Sequence, residues 1–128
     1  MRYPIFVFDE HGDLTVFESR AHHWNNLEAY DIANPHTVFD SDGRVLTMAD
    51  AGNDRVEILD SDAEPEPDRL RQMLIRALER AGQQWDGNAT LDNLRAAAQA
   101  VYGSEKRGVS IIEPIARLLR LLRLKRGS

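Results

Sequence analysis

The segment Asp60-Ser61-Asp62-Ala63-Glu64-Pro65-Glu66-Pro67-Asp68 constrains the fold more than any other feature of the chain. Its prolines lack the N–H that a sheet ladder or a helix interior needs. It cannot continue a strand, so it divides the chain into two parts with different periodicities. Before it, short apolar runs alternate with turn residues. After it, apolar residues recur every three or four positions. We expect a sheet-forming part at 1–62 that contains one helix, an acidic linker at 63–68, and a helical part at 69–128. All three belong to one domain, because 128 residues suffice for a single core.

Tyr3 to Phe8 is aromatic and β-branched, as a strand requires, and Pro4 marks its beginning or an edge. Glu10-His11-Gly12-Asp13 turns the chain, and Leu14 to Phe17 returns as the second arm of a hairpin. Ser19 can cap a helix with Ala21, Trp24 and Leu27 inward, ending near Tyr30 or Asp31 before Asn34-Pro35 breaks the chain. Thr37 to Phe39 and Val45 to Met48 flank the turn Asp40-Ser41-Asp42-Gly43, and Ala51-Gly52-Asn53-Asp54 leads into a third strand, Val56 to Leu59.

Beyond the linker, Pro67 suits a first helical position. Leu70, Met73, Leu74, Ala77, Leu78 and Ala81 form one apolar face, with Gly82 placed as a C-cap. Thr90 caps a further helix, with Leu91, Leu94, Ala98 and Val101 inward and Gly103 at its end. Ser110-Ile111-Ile112-Glu113 has capping-box spacing before a last helix carrying Ile115, Leu118, Leu119 and Leu122. The expected fold is therefore α+β. A mainly antiparallel sheet of about five strands, in the order β-β-α-β-β-β, is followed by three helices that pack on one of its faces.

The absence of cysteine removes disulfides, thiolate zinc sites and cysteine nucleophiles. The N-terminal residues lack the apolar run of a secretory signal, and no apolar stretch approaches the roughly 20 residues of a membrane span. We expect a cytoplasmic protein that needs no membrane. The net charge of −5 hides a division: residues 1–68 hold 16 acids and 4 bases, whereas residues 69–128 hold 5 acids and 12 bases. A division of this kind indicates a charged partner or halves that attract each other.

Catalytic and metal patterns are absent. His22 and His23 are adjacent, so on a helix their side chains diverge by about 100°, whereas a helical metal pair needs a spacing of four. We expect both to be ordinary surface histidines. Asp40 to Gly43 has the opening of a calcium loop, but Ala49 stands where the glutamate ligand belongs. The stretch from Thr37 to Asp62 resembles one blade repeat of an NHL-type β-propeller, in a single copy where closure needs several. No phosphate loop, nucleophile elbow or dinucleotide glycine pattern occurs. We expect no enzyme activity and no cofactor. The basic last helix, with Arg117, Arg120 and Arg123, has no interleaved aromatic residue. We assign it to core or homodimer packing, without direct nucleic-acid contact.

The first two-thirds of the chain has a recognisable rhythm. A strand is followed by Glu18-Ser19, then by a helix that ends with Glu28 and Asp31. Val38-Phe39-Asp40-Ser41 comes next, with Gly43, Arg44 and Leu46 after it. Over residues 3 to about 80 this resembles bacterial immunity proteins of polymorphic and contact-dependent growth-inhibition toxin systems. The resemblance implies a non-catalytic inhibitor of one cognate toxin domain, such as a nuclease, and transfers no binding residue. Charge supplies the candidates for contact with a basic toxin: Asp40, Asp42, Asp50, Asp54, Asp60, Asp62, Glu64 and Glu66, in turns and linker. Any one of these alone is a solvated turn residue, and the expectation rests on the cluster. The alternative is a self-associating scaffold or regulatory protein-binding module that uses the last helix.

Overall fold

The computed structural model describes residues 1–103. The chain runs β1 (Ile5–Asp9), β2 (Leu14–Phe17), α1 (Arg20–Asn26), α2 (Ala29–Ala33), β3 (His36–Phe39), β4 (Val45–Gly52), β5 (Arg55–Leu59), α3 (Pro67–Arg80) and α4 (Leu91–Tyr102). The fold is α+β, with one antiparallel five-stranded sheet in the order β2-β1-β3-β4-β5. The expected last helix after Ser110 lies outside the described residues. Among the described residues, no helix is long and apolar enough to cross a membrane.

Strand β1 lies at the centre of its ladder, between β2 and β3, which explains its unbroken apolar run. Side chains alternate across a strand, so a run buried on both faces cannot alternate in polarity. Phe6 and Phe8 point to one face, where they join Leu14, Val16 and Phe39 beneath Leu70, Leu74 and Leu78 of α3 and Leu94 and Ala98 of α4. Ile5 and Val7 point to the other, where they join Phe17, Val38, Leu46, Val56 and Ile58. Both faces are therefore covered: α3 and α4, the two described helices that follow the sheet, share one face, and the helices between β2 and β3 close the other. The cause is the curl of the sheet. Helix α1 touches both β2 and β5, the two outer strands, and so spans the concave side.

The first expected helix is two helices. Leu27 leaves helical geometry, at φ −88° and ψ 138°, and its buried side chain joins the concave core. A second start follows at once: Asp31 Oδ2 accepts the Glu28 N–H at 2.8 Å, and Asp54 Oδ1 accepts the Ala29 N–H at 2.8 Å. Two carboxylates thus satisfy N–H groups that a helix start leaves open. The inward face of α1 also differs from expectation. Ala21 is exposed and Trp24 half-buried, with the Arg20 guanidinium 5.0 Å from its ring centre. His22 and His23 point inward instead, so they are not surface histidines. Their rings stand nearly perpendicular to that of Phe17, at 79° and 82°.

The acidic linker is stapled down. Glu66 N–H donates to Gly43 O at 2.8 Å, Ser61 Oγ to Val45 O at 2.8 Å, and an Arg44 guanidinium N–H to Ala63 O. Gly43 sits at φ +86°, and a Cβ there would lie 2.8 Å from the Glu66 carbonyl. The position needs glycine for both reasons.

Candidate functional site

The structure separates the eight acids named from the sequence into two groups. Asp42, Asp60, Asp62, Glu64 and Glu66 gather with Asp40 at the end of the sheet that holds the β3–β4 turn and the N-terminus. Asp50 and Asp54 lie at the far end of β4, which is eight residues long, so roughly 25 Å separates the groups at about 3.3 Å per residue. One surface does not contain all eight.

Asp40 leaves the candidate set. Its side chain is 1% exposed. Its Oδ1 accepts the N–H groups of Asp42 at 3.0 Å and Arg44 at 2.9 Å, and its Oδ2 that of Arg2 at 3.3 Å. It holds the turn and cannot reach a partner. Several others are partly engaged. Asp42 pairs with Arg2 at 2.6 Å, and Glu66 with Arg69 at 3.6 Å. Asp60 pairs with the N-terminal ammonium at 3.0 Å, and this contact holds its carboxyl below the usual carboxylate range. Asp62 and Glu64 are exposed.

The end that carries Asp50 and Asp54 also carries a cleft of about 520 Å³. Its floor is Val7, Phe17, Leu27 and Met48, and Tyr30 and Pro35 form part of its wall. Its mouth holds Asp9, Glu10, Asp13 and Asp31. The topology explains this gathering. The β1–β2 turn lies beside the start of β3, where Asp9 is opposite His36, and helix α2 is pinned to the same end through Asp54. Asp9 Oδ1 accepts from His11 N at 2.8 Å and Asp13 N at 2.9 Å, and Gly12 at φ +82° completes the turn. These bonds leave the second oxygens of Asp9 and Asp31 uncommitted among the described residues. Asp13 meets Arg80 at 3.3 Å, in a solvent-exposed pair.

His22 lines the cleft although only 7% of it is exposed. Ser19 caps α1 by accepting the His22 N–H at 3.1 Å, which fixes the helix start and so the ring position. Nδ1 accepts the Glu18 N–H at 3.3 Å. The neutral ring therefore carries its proton on Nε2, which has no partner among the described residues. His23 differs. Its ring is fully buried, lies nearly parallel to Tyr3, and shares a 2.9 Å hydrogen bond between Nε2 and the Tyr3 hydroxyl. Nδ1 has no partner among the described residues. Burial pushes the His23 pKa down, and the nearby Glu57 only partly opposes this. Burial likewise pushes the Tyr3 hydroxyl up. His23 is a core residue.

No family model, curated protein or solved structure matches this chain. Among the described residues, no three His, Asp or Glu converge as a metal ion requires. The cleft can accept positive charge at its mouth and apolar surface on its floor. Sequence reasoning missed Asp9, Glu10, Asp13 and Asp31. Asp13 and Glu10 stood in a recognised turn and Asp31 at a recognised helix end, but only the strand order brings them together.

Proposed function

We propose that the protein is a non-catalytic, immunity-type inhibitor that binds and neutralises a bacterial toxin domain with a basic surface, such as a nuclease. The cleft carries this reading: four carboxylates surround an apolar floor, with the exposed Asp50 and Asp54 beside it. Such a surface can take the place of a phosphate backbone in a cationic substrate groove, and its charge speeds encounter. The uneven charge of the chain and the resemblance of residues 3–80 to immunity proteins support the same reading.

The test is co-expression with the toxin domain encoded beside its gene. Growth should be rescued, and a complex should purify whose association slows by about tenfold or more between low and high salt. A neighbouring gene without any toxin domain, or a toxin that stays active and unbound, would overturn the proposal.

A further inference from the structure

We infer that the cleft is an anchor pocket for one arginine side chain presented by a loop of the protein partner; this rests on the inhibitor reading above. The occupant follows from three properties of the site that no other described surface combines. The first is amphipathic shape. An arginine has an apolar stem and a planar charged head, and it buries the stem while keeping the head among polar groups. The floor of Val7, Phe17, Leu27 and Met48 suits the stem, and the carboxylates of Asp9, Glu10, Asp13 and Asp31 at the mouth suit the head.

The second is Tyr30. It is 63% exposed, one of the few large hydrophobic side chains on the described surface, and it stands on the cleft wall. A guanidinium stacks on such a ring, and tyrosine recurs at the centres of protein interfaces. The third is His22. It is more than nine-tenths buried, it lines the cleft, and its Nδ1 is held by the Glu18 N–H, so the Nε2–H edge is the one left for an occupant, reachable from solvent rather than stranded. A bare cation offers that proton no acceptor, whereas a peptide does, through the carbonyl next to its arginine. A donor reachable from the cleft therefore gives a peptide-borne arginine one contact that a free cation cannot make.

The guanidinium also fits the mouth better than an ammonium. Its five donors fan out in a plane, so it can reach carboxylates on the β1–β2 turn and on α2 at once, while an ammonium is a compact point charge.

The experiment is a nuclear magnetic resonance titration of the full chain with acetyl-Gly-Arg-Gly-amide. The same peptide with citrulline in place of arginine serves as the neutral control. Amide shifts should concentrate at Thr15, Asn26 and Tyr30, and the His22 Nε2 resonance should move. Tyr30→Ala and Glu10→Gln, both surface changes, should each weaken binding about threefold to fivefold, while Glu64→Gln at the other end leaves it unchanged. Equal shifts from the citrulline peptide would overturn the anchor. So would shifts as large around Asp62–Glu66 as in the cleft, or indifference to both cleft variants. Peptide binding at the cleft by a protein that neutralises no toxin would remove the inhibitor reading and keep the anchor. A toxin complex indifferent to Tyr30→Ala and Glu10→Gln would do the reverse.

Discussion

Replacing Asp40 by alanine should weaken the fold severely while leaving partner recognition by the surviving native molecules intact. The carboxylate is buried and accepts three backbone N–H groups, two at good distance and the third, from Arg2, at 3.3 Å. Hydrogen bonds to a charged group contribute about 1.5–3 kcal/mol each, and a donor left unsatisfied forfeits its hydration as well. Two bonds near the lower figure and a weaker third give about 3–4 kcal/mol. That is a large share of the roughly 5–15 kcal/mol that holds a typical domain together. Asp40→Asn keeps one carbonyl oxygen for Asp42 and Arg44 but turns an amide N–H₂ toward Arg2, so it should cost about half as much. Urea unfolding measures both, and the midpoint should fall with an unchanged slope. A loss below about 1 kcal/mol for Asp40→Ala would refute this account of the turn. Weakened partner binding without loss of stability would return Asp40 to the surface acids.

Two further outcomes follow from the same structure. Gly43→Ala should destabilise by about 2 kcal/mol or more, because a left-handed φ and a Cβ 2.8 Å from linker backbone act together; a change within about 0.5 kcal/mol in the same urea assay would show that the linker yields freely. Stability should also fall on acidification. His23 binds its proton less readily in the folded state than in the unfolded chain, so its contribution is complete above the unfolded value near 6.5 and is lost as pH drops through the lower folded value. One such group adds at most about 1.4 kcal/mol per pH unit, and melting curves of the wild type and His23→Gln between pH 7.5 and 5 should differ in slope; parallel curves would sink the assignment.

The strands and turns were legible because their chemistry is local. Gly12 and Gly43 hold left-handed backbone, Asn53 and Asp54 do the same at the β4–β5 turn, and Ser19 and Thr90 cap the helices they precede. The apolar faces of α3 and α4 emerged from spacing alone, since both helices are long enough for periodicity to register. The break at Leu27 was not legible, because it follows from the pull of the concave core, and nothing in the neighbouring residues announces it. The inward turn of His22 and His23 was hidden for a related reason. Histidine scores as polar, yet its ring buries well once its nitrogens meet a Glu18 amide or a Tyr3 hydroxyl.

The residues that carry the family resemblance turn out to do structural work. Phe39 is core, Asp40 holds the turn, Ser41 donates to Pro4 O at 2.9 Å, Gly43 admits the linker, and Arg44 holds Ala63. A motif of this kind specifies a shape. The acids that define the cleft were visible singly and unremarkable, and their assembly depended on β1 lying beside β3.

That strand order also bears on how quickly the chain finds its native state. Of the four strand pairings among the described residues, β1–β2, β3–β4 and β4–β5 each join neighbours in sequence, and only β1–β3 reaches across α1 and α2. Hairpins close over short loops at small entropic cost, and that cost grows only slowly with loop length. The sheet therefore has one non-local closure to make, and the search for it, more than any hairpin, sets the pace of folding.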